Sequence, residues 1–448
     1  MFNIDAKKLR DIFLKSTLLS VTFALAVVNN LVDQFYVTLN GIHAAHAYTI
    51  DVPIYWILLS SATALSAVYS GEIGRHLNMG DRMSADVAAI RSVVYSLVFG
   101  LVFALILWLI VTPILFVYIE DEETMENAFE YLTPLLMLYF CMAMSCVLGG
   151  ILNAEGKIRL YTGTLLSSVV ANIGFGYLFV EELDMGMFGN GLSTALGSML
   201  SLIIMLWYIC SGKTKIRLSL KNFVWSFESV KIAFTKIQAM TARLIVRDSA
   251  ELAIRFSLYL SYALTYGIPM LFSKLIAALG SGAGAYLSSE YSKLYAERDY
   301  EGTIRQFVMS IIIGGGLLFL LSMVLFIFAE PVASIFTMDP SLEDGKDTLV
   351  WTMRVLVFTA PFLGLKHIIS ALWTPIGKKE KSIAYELVTQ VTKVVIFIYT
   401  LGYDYRTAII MLLVMRIAST IFSINMAVVG IRTVYKKHCV PSTHPSAA

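Results

Sequence analysis

The 448-residue sequence is poor in charge. Asp, Glu, Lys and Arg make up 15% of it, where an ordinary soluble domain carries about 25%. That scarcity excludes a chain of two or three solvated domains, and nucleic acid is not an expected partner. Cysteine is equally sparse. Cys141, Cys146, Cys210 and Cys439 lie in apolar segments or the tail without ligand spacing, so neither a disulfide framework nor a metal site is indicated. There are six histidines; His43 and His46 fall in an expected outer loop with no evident partners. No nucleophile–base pair or metal set emerges, which argues against an enzyme. The formal net charge of +2 points to no particular partner.

What is abundant is apolar length. Hydrophobic residues make up 57% of the chain and the mean hydropathy is +0.73. Runs of some 20 apolar residues recur, each long enough to cross ~30 Å of hydrocarbon as a helix. Twelve such spans are expected, from 12–37 to 406–431, including 48–70, 248–266 and 267–289. The first run has no small-x-small cleavage site and reads as a mature helix rather than a leader. The charges sort with this count. Most of the 34 Lys and Arg residues fall in loops sharing a side with the N-terminus, and only Lys346 and Arg406 lie in the opposite loops. Both termini are therefore expected in the cytoplasm; a multi-pass monomer in the plasma membrane, with the lipid bilayer as partner, is the accompanying expectation.

The two sets of six spans read as copies. A shift of 218 positions places Glu72 on Glu290, Arg75 on Lys293, Asp81 on Asp299, Pro113 on Pro331 and Asp121 on Asp339; Gly156-Lys157 meets Gly377-Lys378 after a further slip of three. So many ordered matches indicate an internal duplication. The expected fold is an all-α integral membrane protein with twelve transmembrane helices in two pseudo-symmetric six-helix bundles. The expected domains are an N-terminal lobe 1–211, a basic cytoplasmic connection 212–247, a C-terminal lobe 248–438 and a cytoplasmic tail 439–448. Duplicated lobes around a central cavity suit alternating access.

Several stretches carry a family resemblance. "SGEIGRHLNMGDRMSADVAAIRS", "TPILFVYIEDEETMENAFEYL", "ILNAEGKIRLY" and "NIGFGYLFV…GMFGNGLSTAL", in this order and spacing, resemble the multidrug and toxic compound extrusion (MATE) family. The resemblance covers nearly the whole chain and is clearer in the N-terminal half. It implies a secondary antiporter that exports amphipathic small molecules, such as drugs or toxic metabolites, against inward flow of H+ or Na+, with no other cofactor.

"VNNLVDQFYV" (28–37) places Asn29, Asn30, Asp33 and Gln34 on a polar stripe late in the first span. An acid there is either solvated near the outer surface, ending the helix, or lines a cavity where it takes up a proton or a sodium ion. The resemblance favours the second reading. Family members use an acid on helix 1 with an Asn on helix 5 and a Thr on helix 6, and Asn172 and Thr194 occupy those positions. Asp33, Asn29, Asn172 and Thr194 are thus the expected coupling residues, with Asn30 and Gln34 as cavity candidates. Many relatives carry a second acid four residues after the helix-5 Asn, where this sequence has Gly176.

The C-terminal spans hold Arg255, Lys274, Arg354, Lys366, Lys393 and Arg416, with Glu251 four residues before Arg255. Glu251–Arg255 is a ready i,i+4 pair, and the deepest cations, Lys393 and Arg416, are expected to face the cavity. A basic lobe suits anionic or zwitterionic amphiphiles. The alternative substrate is accordingly a lipid-linked saccharide or another anionic amphiphile, moved by a flippase of the same superfamily. Asp51, two residues before Pro53, reads as an N-cap ahead of a first-turn proline.

Overall fold

The structure, a computed structural model, describes residues 6–372 and 379–438. The expected cytoplasmic tail 439–448 and the Gly377-Lys378 match lie outside the described residues. Within these the chain is helical and contains no strand: α1 (Ala6–Thr38), α2 (Gly41–Asn78), α3 (Arg82–Tyr118), α4 (Glu122–Met137), α5 (Tyr139–Ala154), α6 (Ile158–Gly176) and α7 (Gly186–Cys210) come first. Then follow α8 (Phe227–Phe256), α9 (Leu260–Ala296), α10 (Tyr300–Ile327), α11 (Ala329–Ile335), α12 (Lys346–Ser370), α13 (Lys379–Leu401) and α14 (Tyr405–His438).

Each expected span has its helix. Nine helices among the described residues are long and apolar enough to cross a membrane, and α4 with α5, bent by 51° around Leu138, makes a tenth. The other two are α8, whose first two thirds are the basic 227–247 segment, and α13, apolar only over Leu387–Leu401. The connection expected at 212–247 is therefore helical from Phe227. The break expected between 266 and 267 falls instead at 257–259, so Leu260–Tyr266 opens α9. Pro269 lies inside α9 rather than at its start.

Outward faces are apolar where lipid would lie. Leu101, Leu105 and Leu109 on α3 are more than half exposed, as are Ile312, Leu320 and Ile327 on α10. In water so much bare apolar surface would be an aggregation hazard, but in hydrocarbon it costs nothing.

The chain packs as two compact units. One comprises Leu25–Ile268 with Glu330–Val350; the other comprises the chain up to Ala24, Pro269–Ala329 and everything from Trp351. Within the first, α2 and α5 pack closely and build a core around Leu65, Tyr69, Ile73, Leu148 and Ile151.

The duplicated positions carry the same local structure. Asp81 caps α3 by accepting from the Ser84 amide, and Asp299 caps α10 by accepting from the Gly302 amide. Asp121 caps α4 through the Thr124 amide, and Asp339 caps a short 3-10 turn through the Ser341 amide. Hydrogen bonds from Thr124, and His43 beside it at 2.7 Å, hold the Asp121 carboxyl below the usual carboxylate range. His43, expected to lack partners, thus ties the start of α2 to the start of α4. The residue before each of the first two caps is left-handed: Gly80 at φ +77° and, 218 positions on, Arg298 at φ +61°.

Candidate functional site

Asp33 lies in the last third of α1 and is fully buried. Two glycines on α7 let other helices close around it. Gly191 has the Tyr131 carbonyl of α4 where a Cβ would sit, and Gly197 likewise meets the Ser168 carbonyl of α6. Any side chain at either place would force α7 away. Beside them Asn190, Ser193 and Thr194 share one face of α7, spaced i, i+3, i+4.

The result is a cage of neutral donors. Thr194 Oγ1 and Asn172 Nδ2 both donate to Asp33 Oδ1 at 2.7 Å, and the Tyr131 hydroxyl donates to Oδ2 at 2.8 Å. Asn190 Nδ2 reaches the Asp33 main-chain carbonyl at 3.1 Å. Asn172 also donates to Asn29 Oδ1 at 3.1 Å, while its own oxygen accepts from Ser193 at 2.7 Å. Tyr48 hydrogen bonds to the Asn30 carbonyl and packs edge-on against Tyr131, with ring centroids 5.1 Å apart. Among the described residues no Lys, Arg or His forms an ion pair with Asp33. A buried carboxylate compensated only by neutral donors retains a net negative charge that a small cation can neutralise.

The structure thus brings Asp33, Asn29, Asn172 and Thr194 together. Tyr131, Asn190 and Ser193 were missed from sequence. The last two were within reach, since they repeat at helical spacing beside Thr194, but nothing in "NAFEYL" marks Tyr131. The polar stripe of α1 divides into two faces. Asn29 and Asp33 turn to α6 and α7, while Asn30 and Gln34 lie about 100° round the helix. Asn30 is buried with neither side-chain amide atom hydrogen-bonded among the described residues, and the same is true of Gln34 Nε2.

The position of the second acid is filled. A Cβ on Gly176 would strike the Tyr36 ring, whose hydroxyl donates to the Ile173 carbonyl at 2.9 Å. Directly after Gly176 the helix loosens into a π-helical turn, Tyr177–Glu182.

The candidate cations have protein partners. Pro53 lies inside α2, so the Thr49 carbonyl loses the amide it would normally accept from. Arg255, buried on α8, supplies the missing donor: its Nη1 reaches the Thr49 carbonyl at 2.6 Å. Tyr266 lies beneath the guanidinium, 5.6 Å from ring centroid to Cζ, and donates its hydroxyl to Glu251 at 3.1 Å. Arg416, on α14, donates to Thr359 Oγ1 at 2.8 Å and to the Leu356 carbonyl at 3.4 Å, and approaches Met270 Sδ at 2.9 Å. Lys393 is half-buried on α13.

Comparisons with known proteins identify the family and the fold. The family model MatE matches residues 19–178 and 261–400. Among solved structures, an inward-facing multidrug resistance MATE family transporter of the MOP superfamily superposes with a TM-score of 0.81 at 20% identity, over 91% of this chain and 95% of that one. A MATE protein in complex with MaL6 gives 0.77 at 20% identity, over 95% and 96%. A MOP superfamily transporter from Pyrococcus furiosus, described as having a binding pocket of reverse polarity, gives 0.75 at 19% identity, over 95% and 96%. No curated protein matches the sequence. At these identities the structural likeness establishes the fold of two helical bundles, and the family model, spanning most of the chain, establishes the kinship: the chain belongs to the MatE family, as a multi-pass membrane transporter and not an enzyme.

Proposed function

We propose that the chain is a cation-coupled antiporter that exports amphipathic small molecules by alternating access, with Asp33 as the coupling acid. The observation that carries this is the cage itself: a fully buried carboxyl met by three neutral donors and no cation. A proton can bind either carboxylate oxygen, and a sodium ion can exchange for the donors if the Asn172 amide turns its oxygen inward. The lobes are 1–211 and 248–438, the protein works as a monomer in the plasma membrane, and both termini face the cytoplasm. No cofactor beyond H+ or Na+ is required.

The test is dye efflux from proteoliposomes, with ethidium as probe and Na+ and pH gradients imposed separately. Asp33→Asn is isosteric but cannot titrate, so gradient-driven efflux falls to the protein-free level while the protein still purifies folded. Asn172→Ala and Thr194→Ala reduce efflux less, each removing one neutral partner. Wild-type rates in Asp33→Asn vesicles would remove Asp33 from the mechanism.

The second reading, a flippase for lipid-linked saccharides or other anionic amphiphiles, draws on the buried cations. Arg255 is occupied by the proline-freed carbonyl of Thr49 and Arg416 by Thr359 and Leu356. With these two cations so engaged, the organic-cation reading is preferred.

A further inference from the structure

Asp51 is not the N-cap its neighbour Pro53 suggested. α2 begins at Gly41, so Asp51 sits ten residues inside a 38-residue span. It is 0% exposed, and neither carboxyl oxygen has a hydrogen-bond partner among the described residues. An acid at this depth is costly unless neutral or paired, and Asp51 contributes no cap, bridge or hydrogen bond to the fold in return. The turn it occupies is unusual in a second way. Pro53 opens the backbone there, and the Arg255 guanidinium docks on the freed Thr49 carbonyl.

Most other ionisable groups on α2 and on the helices around it are engaged. The exceptions are His46 Nδ1 and the Tyr69 hydroxyl on α2 and Nε and Nη2 of Arg255 on α8, which have no hydrogen-bond partner among the described residues. Tyr55 lies buried one turn beyond Asp51. On α2 itself Tyr48 bonds to the Asn30 carbonyl. Asp33 of α1 has its three donors, one of them Tyr131 of α4, and Tyr139 of α5 bonds to Ser61 and to the Leu58 carbonyl. On α8, Asp248 is paired with Arg247 and accepts from Ser60, Glu251 accepts from Tyr266, and Arg255 holds Thr49. On α3, Tyr95 lies against Tyr69, 18 residues along α2 from Asp51, and Arg91 is nearer still to the α2–α3 turn. Asn30, with both amide atoms free, lies on the same side of the α1–α2 turn and, at 1.5 Å per residue, within about 3 Å of the depth of Asp51. Two buried polar side chains without partners thus share one level of adjacent helices.

We propose that Asp51 is a second proton-binding carboxyl, separate from the Asp33 cage, which is protonated in the conformation described and releases its proton to water during the transport cycle. A metal cation is the wrong ligand, since it needs several oxygens at once and Asp51 has no polar partner. Release breaks the Oδ–H bond, the proton passes to water and the carboxylate keeps the pair. The role in transport rests on the coupled-antiporter reading, whereas the protonation itself does not.

The experiment is infrared spectroscopy of the full chain in lipid, with the proton as probe. Wild type shows a carboxylic-acid C=O band at the high-frequency end of the range, as expected for an acid that accepts and donates no hydrogen bond. Asp51→Asn removes the band, Asp33→Asn leaves it, and raising the pH abolishes it reversibly. The protons released per protein on that jump fall by about one in Asp51→Asn. If that variant does not fold, Asp51→Glu serves, with the band shifted rather than lost. A wild-type spectrum without the band, or a band that no pH change moves, overturns the proposal. Ethidium efflux by Asp33→Asn is read on the same preparations: full activity there defeats the coupling reading, while the infrared result still decides Asp51.

Discussion

At the scale of single residues, the most informative side chains are those whose partners are backbone atoms. Arg255 read from sequence as the i,i+4 partner of Glu251. In the fold it completes the hydrogen bond that Pro53 denies to Thr49. Arg255→Met leaves that carbonyl bare, a loss of about 1–3 kcal/mol. Adding Pro53→Ala restores an amide donor, so the double variant regains about 1 kcal/mol or more over Arg255→Met alone, read as thermal midpoints in lipid. Equal midpoints would show that the two residues are not linked. Arg298 is the opposite case, an exposed residue held left-handed where the first half uses Gly80. That backbone costs a side-chain-bearing residue about 1–2 kcal/mol. Arg298→Gly removes the strain but pays chain entropy of about 0.5–1 kcal/mol. A net gain of about 1 kcal/mol in stability is expected, and a lowered midpoint would contradict it.

At the scale of helices, the sequence showed which segments are helical and hid where they touch. Periodicity and charge placed a helix at every expected span, and the resemblance placed Asp33, Asn172 and Thr194 together. The approach of α7 to α4 and α6 was hidden, because it depends on what faces Gly191 and Gly197, and no local pattern records that. For this reason Tyr131 stayed invisible. Asp51 was misread on local grounds that are sound in water, where a proline two residues after an acid marks a helix start. In a membrane protein a mid-helix proline survives if a neighbour satisfies the carbonyl, and here that neighbour lies 202 positions away in sequence at Arg255.

At the scale of the whole molecule, the matched caps at Asp81 and Asp299 extend the duplication from sequence to structure. The expected orientation can be read with the protein's own thiols. Cys210 is exposed at the end of α7, while Cys141 and Cys146 are buried. With Cys439→Ser in place, a membrane-impermeant maleimide applied to sealed right-side-out vesicles leaves the protein unlabelled until they are permeabilised. Labelling before permeabilisation would reverse the topology.

The Asp33 cage also has a kinetic consequence. Its donors come from α4, α6 and α7, so one carboxylate fastens α1 to three other helices. A sodium ion must turn at least one of these donors, or the Asn172 amide, away from that oxygen pair, and because Asp33 is fully buried it reaches the pair only when the surrounding helices part. Capture of such an ion is therefore gated by the slow parting of helices. Its rate constant should lie well below the diffusion limit and level off as ion concentration rises, with a ceiling that reports how often the four helices come apart.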